Sequence, residues 1–126
     1  MKKLVLAFCV SAVLISSCKK EDKSGTGNAD YISNADCTGS APTYTADVQP
    51  ILSAQCATSG CHNTASAAHG LNLEGYTAAK NNFNAHETLC AINQGSGCSP
   101  MPEGLPKLSE AEIKTITCWA KNNFPN

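Results

Sequence analysis

At 126 residues the chain has room for one modest domain and some tail; nine lysines, ten acids and no arginine leave a formal charge of −1. That balance offers nothing to neutralise a run of phosphates, which argues against nucleic acid as a partner. Eight cysteines in so short a chain point instead to an exported protein in an oxidising compartment.

The first residues read as an address. Met1-Lys2-Lys3 is basic, Leu4 to Ile15 is apolar, and the small residues Ser16-Ser17 run up to Cys18. Such an apolar run is shorter than the roughly 20 residues that cross a bilayer, so residues 1–17 read as a secretory signal. Ile15-Ser16-Ser17-Cys18 resembles a bacterial lipobox, which would make Cys18 a lipidated N-terminus; ordinary cleavage with Cys18 left as a free thiol is the other reading. Without residues 1–17, seven lysines face ten acids and the net charge is −3. Residues 18–43 are polar and rich in Ser, Gly, Asn, Asp and Lys, with Tyr31 and Ile32 their only sizeable apolar side chains. They read as a flexible tether, and residues 19–36, if free, have a reach of about 25 Å. Within it, Lys19-Lys20-Glu21-Asp22-Lys23 reads either as a surface-export signal of lipoproteins or as a solvated part of the tether.

The folded unit expected over 44–126 opens with a helix near 46–55, where Val48, Ile51, Leu52 and Gln55 share a face and Pro50 falls in the first turn. Cys56-Ala57-Thr58-Ser59-Gly60-Cys61-His62 follows. Two thiols ending in Cys-His are what covalent haem attachment requires: each sulfur adds across a porphyrin vinyl group and the imidazole reaches the iron. The usual spacing is C-x-x-C-H; here four small residues, one a glycine, separate the cysteines. A Cys56–Cys61 disulfide beside an incidental His62, or a zinc site using Cys56, Cys61, His62 and His69 or His86, are the competing readings. A short helix from Tyr76, capped by Thr77, is expected next. Another follows over 86–93, with Leu89 and Ile92 on one side and Gly95 and Gly97 ending it.

Met101 lies in Ser99-Pro100-Met101-Pro102, where two prolines stiffen the loop enough to present a thioether to iron. His69 and His86 are its rivals, and gap filling is the plainer role for the methionine. Ser109-Glu110-Ala111-Glu112 is a capping box that opens a last helix, with Ile113, Ile116 and Trp119-Ala120 on one stripe and Pro125 beyond its end. No alternating strand pattern and no internal repeat occur.

Leu, Ile, Val and Phe make up only about 15% of residues 42–126, below the roughly 20% at which a core becomes doubtful. A domain of this size needs staples or a large apolar cofactor. Apart from Cys9 in the signal, Cys18 and the motif pair, Cys37, Cys90, Cys98 and Cys118 remain, enough for two disulfides with three connectivities.

Taken in order, these pieces resemble a small class I-type, single-haem c-type cytochrome of the exported lipoprotein kind, over Tyr44 to Asn126. Asp47 to Leu52 resembles the helix that leads into the haem site, and Ser59-Gly60-Cys61-His62-Asn63 the attachment motif. Gly70-Leu71-Asn72-Leu73 with Tyr76 resembles the segment after it. Met101-Pro102-Glu103-Gly104, Lys107-Leu108-Ser109 and Ile116 to Trp119 resemble the distal loop and last helix. The resemblance implies an all-α domain around one covalent haem c, with Cys56 and Cys61 as thioether sites and His62 and Met101 as axial ligands. Trp119 would pack near the ring or at a helix crossing. Cys90 with Cys98 would clip the approach to Met101 and Cys37 with Cys118 would pin the tether to the last helix; Cys90–Cys118 with Cys37–Cys98 stays open. The expected role is electron transfer with redox partner proteins, from a lipid anchor on a bacterial membrane, and thioether ligation would raise the potential. No base, nucleophile or acid cluster suggests an enzyme or a small-molecule substrate. A cofactor-free, disulfide-stapled binding lipoprotein, and a haem enzyme or gas sensor with an open distal site, are the alternatives.

Overall fold

The last helix organises the fold, and its sequence explains how. The computed structural model describes residues 27–126, so the expected signal, the lipidation site Cys18 and the charged run behind it lie outside the described residues. The last helix spans Glu110–Lys121 and starts at the predicted capping box: Ser109 Oγ accepts from the Glu112 N–H at 3.3 Å, and the Glu112 carboxylate accepts from the Ser109 N–H at 2.9 Å. The Ser109 hydroxyl, donating to the same carboxylate at 2.7 Å, and then the Ser109 N–H hold the Glu112 carboxyl below its usual range. Leu108 and Ile113, at the two positions of a hydrophobic staple, are both buried. One full stripe of the helix then goes inside: Ile113, Ile116, Thr117, Cys118, Trp119 and Ala120.

Five α-helices and two short turns make up the described chain. They are α1 (Asn28–Asn34), a π-helical turn at Tyr44–Val48 running straight into α2 (Gln49–Gln55), a 3-10 turn at Ala68–Gly70, α3 (Tyr76–Ala85), α4 (Thr88–Asn93) and the last helix, α5. No strand occurs among the described residues, and the fold is a small all-α one.

Trp119 is completely buried where α5 meets the Tyr44–Val48 turn. Tyr44, Phe83 and Phe124 surround its ring at centroid distances of 5.7, 5.7 and 4.8 Å, and its indole N–H donates to the Pro125 carbonyl at 2.8 Å. The same carbonyl accepts from the Tyr44 N–H at 2.9 Å, so the chain end ties α2's approach to α5. Of the two places expected for Trp119, it occupies the helix crossing. Tilted and edge-on aromatic pairs of this kind add about 0.5–1.5 kcal/mol each beyond the area they bury.

Several local expectations change. The helix from Tyr76 is capped by Gly75 rather than Thr77, because a φ of 87° at that position suits glycine. The helix expected from His86 starts at Thr88, and its terminating left-handed residue is Gln94 (φ 55°), not the glycines after it.

The tether expected over 18–43 is also shorter than its composition suggests. Residues 28–34 form α1, which packs on α4 and α5. The Cys37–Cys118 disulfide fastens the segment, with Cα atoms 5.5 Å apart, and Lys121 Nζ donates to the Ala35 carbonyl at 2.7 Å, behind the end of α1. Asn28 does more than terminate a linker: its amide donates to the carbonyls of Phe83 and His86, and its Oδ1 accepts from the Leu89 N–H at 2.8 Å. A side chain from α1 therefore serves the first turn of α4, which has no side-chain cap of its own. Asn28→Ala orphans these groups and is expected to cost about 2 kcal/mol. Urea unfolding checks this as a lower midpoint at constant m-value.

Candidate functional site

Helix α2 ends at Cys56, whose side chain is 9% exposed and faces the core. The chain then doubles back on itself. The His62 N–H donates to the Cys56 carbonyl at 3.0 Å, closing a loop that brings the histidine beneath the helix end. Gly60, at φ 81°, takes the left-handed turn this closure needs, and its N–H donates to Ser66 Oγ at 2.9 Å. Cys61 stands exposed on the loop while His62 is buried.

The loop beyond is braced from the far side. The Leu73 N–H donates to the His62 carbonyl at 2.8 Å, and the Glu74 carboxylate accepts from the Thr64 N–H at 2.7 Å. That bond holds the Glu74 carboxyl below its usual range, so the brace is lost as pH falls through the carboxylate region. Ala67 and His69, neither a glycine, hold positive φ values of 37° and 54° in the turn between.

The imidazole of His62 is oriented by the backbone. Its Nδ1 lies 3.1 Å from the Leu71 carbonyl, which accepts only, so Nδ1 is the donor and, in the neutral ring, Nε2 is the nitrogen with the lone pair. A backbone carbonyl behind the imidazole is the usual device for fixing the tautomer and orientation of a ligating histidine.

Cys56, Cys61 and His62 line one cavity of about 560 Å³. Met101 reaches the same cavity from the loop after α4, its N–H donating to the Ala91 carbonyl at 3.0 Å. Leu71, Leu73, Ile92 and Leu108 supply apolar wall, and Leu105, 60% exposed, is also among its lining residues. The size lies within the 300–1,000 Å³ of sites that hold small molecules and cofactors. His69 and His86, the rivals of Met101, are exposed and also line it. Sequence reasoning left the roles of Gln55 and Ala91 unremarked. Gln55 occupies the α2 face already assigned to packing, and Ala91 carries no chemical signal.

The cavity gathers two free thiols, an oriented imidazole and a thioether beside aliphatic wall, donor types suited to a large apolar group that carries a soft metal. Among the described residues no three His, Cys, Asp or Glu side chains gather to hold a metal ion. Cys56 and Cys61 are not bonded to one another; the disulfides are Cys37–Cys118 and Cys90–Cys98, the first of the two connectivities considered.

The two free thiols differ in chemistry. Burial, followed by the neighbouring Cys61 and Glu112 charges, pushes the Cys56 thiol up to about 11. At about pH 8 that leaves roughly a hundredfold less thiolate than an ordinary thiol carries. Iodoacetamide is expected to label Cys61 well before Cys56 in chain produced without cofactor, as peptide mass mapping against time would show.

No helix among the described residues is long and apolar enough to cross a membrane. The two disulfides suit an oxidising, exported setting. Compared with protein-family models, curated proteins and solved structures, the chain gives no match.

Proposed function

We propose that this protein is a single-haem c-type cytochrome, exported and lipid-anchored through Cys18, that carries electrons between redox partner proteins. One observation carries the reading. Cys56, Cys61 and His62 of one short segment and Met101 from a distant loop line the same largely apolar cavity. In this reading Cys56 and Cys61 would hold haem c through thioether bonds, and the His62 imidazole and the Met101 thioether would bind its iron. The bound iron would supply one-electron chemistry, and the polypeptide would supply ligation, orientation and exclusion of water.

Each residue then has a stated task. The Leu71 carbonyl keeps the His62 proton on Nδ1, so that Nε2 is the nitrogen available to iron. Met101, a soft and weakly basic ligand, favours the ferrous state and raises the potential, which suits a carrier feeding a stronger oxidant. A mature charge of −3 leaves modest steering, towards basic patches on a partner.

Mass spectrometry of the protein purified from the exporting cell tests the proposal, together with its reduced-minus-oxidised visible spectrum. Expected are a mass that includes acyl chains and one porphyrin, and low-spin c-type bands. A colourless protein weighing no more than its acylated chain removes the cytochrome reading and leaves the stapled binding lipoprotein. Coloured protein whose ferrous form binds carbon monoxide rapidly favours the open-site enzyme or gas sensor.

A further inference from the structure

The loop that brings Met101 to the cavity has little else to hold it there. The start of the loop is tied to α4 by the Gly95 N–H, which donates to the Cys90 carbonyl at 3.0 Å; from there to Met101 the described chain makes one backbone hydrogen bond within the loop, from the Cys98 N–H to the Gly95 carbonyl, and at 3.5 Å it is long. Ser96, Gly97, Ser99 and Pro100 are exposed. Met101 itself is only half-buried, and its N–H donates to the Ala91 carbonyl on α4.

Against this weak background stands one covalent bond. Cys90 is fully buried on α4, Cys98 lines the cavity, and the disulfide between them spans only eight positions. A second observation shows that the clip is built into its surroundings. At Gly95 any Cβ would meet the Tyr31 hydroxyl of α1 and would stand 3.0 Å from Cys90 Sγ. A side chain there would have to push the Tyr31 ring tip aside, so Tyr31 of α1 and the Cys90 sulfur of α4 both crowd this first residue of the loop.

We propose that the Cys90–Cys98 disulfide is a positioning pair for Met101: beyond its share in the fold's stability, it holds the thioether at the cavity. The thioether's role as an iron ligand rests on the function proposed above; the positioning does not. By chain entropy a ring of eight positions still removes roughly half of what the Cys37–Cys118 bond, spanning 81 positions, removes from the unfolded chain. Its local effect falls on the exposed stretch from Ser96 to Pro100, which the backbone bonds at the two ends of the loop leave unheld.

The test uses Cys98→Ser, which leaves Cys90 in the core as a small apolar side chain, and Cys90→Ala/Cys98→Ser, which removes the free thiol as well. Amide hydrogen exchange at Met101 is compared with that at Leu73, whose N–H donates to the His62 carbonyl in the same site. In both variants Met101 exchange is expected to accelerate by about tenfold or more relative to Leu73. Ile116→Val, which lowers global stability without touching the loop, should leave that ratio unchanged. In the cofactor-loaded variants, carbon monoxide binding to the reduced form is expected to speed up about tenfold or more.

An unchanged Met101-to-Leu73 ratio overturns the proposal. So does equal acceleration of both amides, which would make the bond a staple of the fold. If the purified protein carries no porphyrin while the exchange ratio still rises, the positioning stands and the cytochrome reading fails.

Discussion

Replacement of both Cys37 and Cys118 by alanine is expected to lower stability by about 4.5 kcal/mol, the loop-closure entropy of a bond this long in the unfolded chain. The bond spans 81 positions and so encloses almost the whole described domain. Small domains hold roughly 5–15 kcal/mol in all, and the thin aliphatic content of this one puts it at the lower end of that range. The double variant should therefore sit close to its unfolding midpoint at 37 °C. Bond and contacts also act together. Cys118 lies fully buried in α5, and the segment it fastens delivers Asn28 to the start of α4 and the carbonyls of Ser33 and Ala35 to Lys121. Urea unfolding of wild type and variant measures the cost. A loss below about 1 kcal/mol would mean that residues 28–42 hold their place by contacts alone and that the unfolded chain gains little from the cross-link.

The parts of this fold that were legible in the sequence are those whose cause is local. The α5 capping box needs only Ser109 and Glu112 three positions apart, and α2 needs only its apolar spacing with Pro50 in the first turn. The Cys56-to-His62 segment is legible for the same reason, since its chemistry lies in adjacent residues. What was not legible depends on partners distant in the chain. Helix α1 has only Tyr31 and Ile32 to bury, and neither propensity nor pattern distinguishes it from tether. It exists because Asn28 finds the α3–α4 junction, Lys121 finds its last carbonyls and Cys37 finds Cys118. The first turn of α4 was misplaced for a related reason: its hydrogen-bond acceptor comes from residue 28, not from a neighbour. Composition at the ends of α3 and α4 misled differently. Gly75 takes a positive φ before α3 where Thr77 was the expected cap, and Gln94 takes one after α4 where glycine was expected. The shared cavity was legible only as chemistry, a thioether held between Pro100 and Pro102 that could meet the His62 site, because no spacing rule relates Met101 to His62.

Met101→Ala separates a ligand from a filler, because the two roles predict opposite patterns. A methionine that fills a core gap costs about 2–5 kcal/mol when cut to alanine and leaves a cofactor's electronics alone. Met101 is half-buried, between two prolines, on a loop whose neighbours Ser99 and Pro100 are exposed. Its truncation should cost little stability, about 1 kcal/mol or less. On the proposed reading the effect falls instead on the redox site. Loss of a thioether ligand should lower the reduction potential by on the order of 0.2 V, within the roughly 0.8 V range over which axial ligands tune haem iron. It should also open the reduced site to carbon monoxide. Spectroelectrochemistry and urea unfolding of the same variant give both numbers. A large stability loss with an unchanged potential would return Met101 to packing and shift attention to His69 and His86, which line the same cavity. An unchanged fold with a lowered potential assigns the sixth ligand, since packing alone predicts no change in the iron's preference for its reduced state.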